Sequence, residues 1–177
     1  MKLTWFAGTT LRIHIGGQVL VAGAGEAPDW VDGRELVAGA DRAFDLAQAD
    51  IPAVDAEKWR RRRPGRPLDE TALPPADIVR LAPGILLVDA PGEPALVLAG
   101  AADLPPTGRW ADDAVVVLFG AGEGIIATAS VLLDVAEPRL LALAADEDAV
   151  DLAVAELREH LDGTALISLE PGMAVEV

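Results

Sequence analysis

Val115-Val116-Val117-Leu118-Phe119 runs straight into Gly120-Ala121-Gly122-Glu123-Gly124, and an apolar stretch then continues to Leu133. Five apolar residues in a row suit a strand covered on both faces. Glu123 to Val135 reads as a buried helix that Pro138 stops, and Leu140 to Leu143 as the next strand. Asp146 to Leu161 carries Val150, Ala153, Val154, Leu157 and Leu161 at helical spacing. Asp146, Glu147 and Asp148 stand at its start and Arg158 and His160 in its last turn, the charge order a helix dipole favours. Gly163 is placed as its stop. Ala165 to Leu169 and Met173 to Val177 read as two last strands around the turn Glu170-Pro171-Gly172. This stretch alternates strand and helix, which predicts helices packed on a sheet.

Working outward, the first third reads as strands. Lys2 to Phe6 is short and apolar-rich. Leu11, Ile13 and Ile15 alternate with Arg12 and His14, Gly16-Gly17 is a hairpin turn, and Val19 to Val21 is the return strand. Asp29 to Gly33 reads as loop, Leu36-Val37 as a short strand and Asp41 to Gln48 as a short helix. Ile78 to Leu81, Ile85 to Asp89 and Ala95 to Ala99 read as further strands, with turns at Pro83-Gly84 and Pro91-Gly92. Between them, residues 52–76 form an Arg- and Pro-rich surface excursion with one helical turn around Ala56 to Arg61. Lys58, Arg60, Arg61, Arg62, Arg63 and Arg66 supply six of the 14 basic residues. The chain as a whole, residues 1–177, reads as one α/β domain.

Composition excludes several chemistries. The net charge of −15 argues against a general nucleic-acid surface, because phosphate neutralisation needs positive charge. From Asp69 onward four basic residues face 20 acidic ones, so most of the negative charge lies there. With no Cys there are no disulfides, thiolate ligands or thiol nucleophiles, and two His cannot build a site of three imidazoles in one subunit. No signal peptide and no apolar run near the roughly 20 residues of a membrane span is visible, so the expectation is a cytoplasmic protein with no membrane partner.

Met1-Lys2-Leu3-Thr4-Trp5 through Gln18-Val19-Leu20-Val21 resembles the opening of the metallo-β-lactamase superfamily, in particular the branch of the ascorbate-6-phosphate lactonases and related small metal-dependent hydrolases. Ala111 to Leu118, Pro138 to Leu143 and Leu169-Glu170-Pro171-Gly172-Met173 resemble later strands of that family, and Pro94 to Leu104 resembles its strand ending in A-G-D-T-D-L. The resemblance implies an αββα sandwich, in a short version. It also implies where ligands would stand, and those positions have changed. The T-H-x-H-x-D-H signature matches Gly39 to Asp45, which turns its His, His, Asp and His into Ala40, Arg42, Phe44 and Asp45. The opening G-H becomes Ala7-Gly8, the aspartate of I-L-I-D-P becomes Ala22 or Gly23, the bridging aspartate becomes Ala101, and the late histidine becomes Ala144, Ala145 or Asp146. Zinc needs about three or four converging ligands, and without a metal no bound water is activated.

The expectation is therefore a non-catalytic domain with no cofactor, serving as a binding or assembly module. Its expected partners are a second copy, another protein or a small anionic ligand. Two rival readings stand beside it. Asp45, Asp89 and Asp103 form a residual carboxylate site for a metal-dependent hydrolase of phosphodiesterase or lactonase type. Arg60, Arg61, Arg62 and Arg63 form an anion or nucleic-acid site. His14 reads as a solvent-side strand residue and His160 as a surface residue completing the helix dipole. Gly120 to Gly124 lacks the spacing and the Lys-Ser/Thr of a phosphate loop. Ser130 and Ser168, the two serines, have no nucleophile-elbow context.

Overall fold

A computed structural model describes residues 1–61, 74–100, 103–106 and 108–177. Its strands are β1 Lys2–Ala7, β2 Thr10–Ile15, β3 Gln18–Ala22, β4 Arg42–Phe44, β5 Asp77–Ala82, β6 Ile85–Asp89, β7 Leu96–Ala99, β8 Val115–Phe119, β9 Leu140–Ala144, β10 Ala165–Ser168 and β11 Ala174–Glu176. The α-helices are α1 Gly33–Val37, α2 Gly122–Leu133 and α3 Glu147–Leu157. Among the described residues these strands make two sheets, one ordered β11-β1-β2-β3-β4 and one ordered β10-β9-β8-β7-β6-β5. The first is antiparallel except for the parallel β3–β4 pair, and in the second β7, β8, β9 and β10 run parallel. The chain is thus an α/β protein of two sheets.

Alternation along each strand sorts the core into two layers. Leu11, Ile13 and Ile15 of β2 meet Leu86 and Val88 of β6, Leu96 and Leu98 of β7, and Val115, Val117 and Phe119 of β8 in the layer between the sheets. The intervening residues Ile85, Leu87, Val97, Val116, Leu118, Leu141 and Leu143 face Ile125, Ala129 and Leu132 of α2 and Ala149, Ala153 and Leu157 of α3. Every residue of β6, β7, β8 and β9 is buried, which is why these strands read as continuous apolar runs. The outer face of the five-stranded sheet carries α1. Arg12 points out from β2 and its guanidinium donates to the carbonyls of Leu36 and of Ala38, the latter at 2.9 Å, closing the C-terminal end of that helix. Arg80 does the same for the loop after β4, donating to the carbonyls of Gln48, Ala49 and Ile51 at 3.1, 2.9 and 2.7 Å.

Two local expectations are corrected. Leu36-Val37 is helical rather than extended, because the Asp32 carboxylate accepts from the Arg34 and Glu35 amides and starts a helix there. Within 41–48 the chain holds a strand instead of a helix: the free edge of β3 takes Arg42–Phe44 as a parallel partner, and Asp41 Oδ2 accepts from the Val19 amide at 2.7 Å. The two last strands, both expected, lie in different sheets. β10 adds to β9, whereas β11 crosses to β1, and Gly172 N–H donates to the Trp5 carbonyl at 2.7 Å at the crossing.

Candidate functional site

Ligand crevices in sheets with parallel strands form at the rim made by the strands' carboxyl ends. The Met1 ammonium lies 3.3 Å from Glu93, and a Cβ on Gly16 would lie 3.1 Å from Ala90. The start of β1 and the β2–β3 turn therefore sit with the end of β6. The rim gathers the opposite ends: those of β3, β4, β7, β8, β9 and β10. Several of its polar groups are occupied by the fold itself. Thr9 donates to Glu26 at 2.6 Å, buried Thr10 donates to the Gly23 carbonyl at 2.8 Å, and Asp146 Oδ1 accepts from the Ala149 amide at 2.8 Å as the N-cap of α3. A Cβ on Gly23 would stand 2.5 Å from Thr9 Oγ1, so no ligating side chain fits there without displacing that turn.

The three candidate carboxylates do not converge. Asp103 follows β7 and Asp45 follows β4, both exposed at the rim. Asp89 is buried at the end of β6, in register with Asp77. Because β6 is antiparallel to β7, Asp89 sits beside the start of β7, about 13 Å of strand from its end. Among the described residues, no three His, Cys, Asp or Glu side chains are grouped so as to hold a metal ion. Ala101 lies outside the described residues.

His14 is exposed on β2, opposite Lys2 and Val19. His160 is exposed in the turn after α3, its Nδ1 3.2 Å from the Glu156 carbonyl. Gly122 in the glycine-rich turn packs the helices: a Cβ there would lie 3.2 Å from the Ala149 backbone. Ala149, beside Gly122, belongs to the buried stripe of α3, Val150 packs partly buried against the same core, and Val154 is exposed.

The arginine run divides. Arg62 and Arg63 lie outside the described residues, whereas Arg60 and Arg61 follow a turn at Ala56 to Lys58. Arg60 Nη1 donates to the carbonyls of Glu57 and Trp59 at 2.8 and 2.7 Å. Arg61 stands 3.8 Å from Asp113, and the Lys58 ammonium donates to Asp55 at 2.7 Å. That hydrogen bond holds the Asp55 carboxyl below its ordinary value and Lys58 above its own. The fold adds a residue that the run did not point to. Arg109 joins Arg60, Arg61, Asp112 and Asp113 around a cleft of about 660 Å³. Nothing in the local sequence marks Arg109, because its partners come from a distant loop.

No protein-family model, curated protein or solved structure matches this chain. No described helix is long and apolar enough to cross a membrane.

Proposed function

We propose that this chain is a non-catalytic domain of metallo-β-lactamase type, an αββα sandwich that has lost its metal ligands and works as a binding and assembly module. The layer order supports the architecture: α1 outside the five-stranded sheet, two sheets face to face, and α2 with α3 outside the second sheet. The observation that carries the functional reading is the rim. Gly23 has no space for a side chain, Asp146 is engaged as a helix cap, and Asp45 is exposed while Asp89 lies at the other end of the sheet. Metal-activated water needs several ligands converging on one point. The assembly partner is a second copy, with Val131, Val135, Leu152 and Val154 exposed on and beside α2 and α3.

Elemental analysis of the tag-free protein for Zn, Mn, Fe, Ni, Mg and Ca tests this. Metal well below one equivalent is the expected result. Near-stoichiometric metal would overturn the reading in favour of a hydrolase.

A further inference from the structure

We infer that the cleft walled by Arg60, Arg61 and Arg109 is a binding site for the pyrophosphate group, either free or carried by a nucleoside diphosphate. The inference deepens the binding-module reading and rests on it. Three arginines from two separate loops line one space of about 660 Å³, a size that suits a small ligand, and Arg60 keeps its remaining N–H groups beside the Nη1 that holds the Glu57 and Trp59 carbonyls. Their forked N–H groups match phosphate oxygens in pairs, which a lysine ammonium does not.

The walls are built rather than draped. Trp110 is fully buried and its indole N–H donates to the Pro106 carbonyl at 3.2 Å, which fixes the loop that carries Arg109. Trp59 packs against the helix-side core beside Arg60. A Cβ on Gly108 would stand 2.7 Å from the Ala56 carbonyl oxygen, so the two loops are in close backbone contact. Asp113 holds a left-handed backbone, φ 54°, and its carboxylate sits 3.8 Å from Arg61. At that length it orients Arg61 yet leaves the guanidinium free to take a stronger acceptor.

Charge sets the ligand class. Arg109 is one of only four basic residues after Asp69, in a chain of net charge −15, and it stands beside two other arginines. Asp112 and Asp113 reduce the local surplus to about one positive charge at neutral pH. A singly charged carboxylate gains little there. A pyrophosphate group spreads several negative charges over oxygens that reach more than one guanidinium.

Isothermal titration of the full chain with inorganic pyrophosphate and with ADP, at low ionic strength and with chelator present, tests the site. Saturable binding of pyrophosphate is expected. Arg109→Ala should weaken it about 10- to 100-fold, the loss of one charge-assisted contact. Arg109→Lys should also weaken it, since it keeps the charge and loses the fork. Arg158→Ala, in the turn after α3, should leave it unchanged. ADP bound as tightly as pyrophosphate supports the group alone as ligand, and ADP bound more tightly supports a nucleotide carrier. No saturable binding, or an Arg109→Ala variant with native far-UV circular dichroism that binds like Arg158→Ala, overturns the inference. Metal content measured on the same protein before chelator is added separates failure of the parent reading from failure of this one.

Discussion

Gly108 has no side chain, and the space beside it explains why. An added Cβ would meet the Ala56 carbonyl oxygen at 2.7 Å and the Glu57 Cα at 3.2 Å, both backbone atoms that cannot rotate away. Gly108→Ala should destabilise the fold by about 1–3 kcal/mol, the range for overpacking, and urea unfolding would read it as a lower midpoint. An unchanged midpoint would mean that the two loops are not in close contact. Arg12 and Arg80 belong to the same scale. Each guanidinium donates to the carbonyls of a segment distant in sequence, the end of α1 or the loop after β4, which ties that segment to a sheet. Alternating Arg12 among Leu11 and Ile13 was legible as a solvent-side position. Its acceptors were not, because they come from a helix folded back over the strand.

At the scale of elements, α3 shows how local signals and packing divide the work. Asp146, Glu147 and Asp148 at its positive end were readable from residue order as dipole-favouring charges, and the structure adds that Asp146 caps it. Asp146→Ala should cost about 1 kcal/mol, seen as a lower thermal midpoint with little change in helix content at low temperature. No shift in midpoint would count against a capping role. The buried stripe of α3 was less legible. The helical spacing placed Val150 and Val154 in it; Val150 does pack partly buried against that core, whereas Val154 is exposed and Ala149, beside Gly122, is buried. β4 and α1 were misread for a related reason: each is too short for periodicity to speak. Arg42–Phe44 becomes a strand by pairing with an open edge, and Gly33–Val37 becomes a helix through one capping carboxylate.

At the scale of the whole molecule, the outer faces of α2 and α3 leave Val131, Leu152 and Val154 exposed, with Val135 just beyond α2. Light scattering across a concentration series is expected to give twice the chain mass of 18.4 kDa. A monomeric mass throughout would remove the assembly part of the proposal and leave ligand binding untouched. The charge distribution has the same scale. A chain of net charge −15 that retains three arginines around one cleft concentrates its positive potential where the inferred ligand would bind.

Residue order was enough for the α/β class, the buried strands from Ile85 to Leu143, helices read over Glu123 to Val135 and Asp146 to Leu161, and the scarcity of imidazole and thiol. Those follow from periodicity, capping and composition, which act over a few residues. Only the tertiary structure decided that β11 crosses to the first sheet and that Asp89 stands at the other end from Asp45 and Asp103. It alone brought Arg109 to Arg60 and Arg61. Strand direction and loop packing set these placements, and both depend on contacts between residues far apart in the chain.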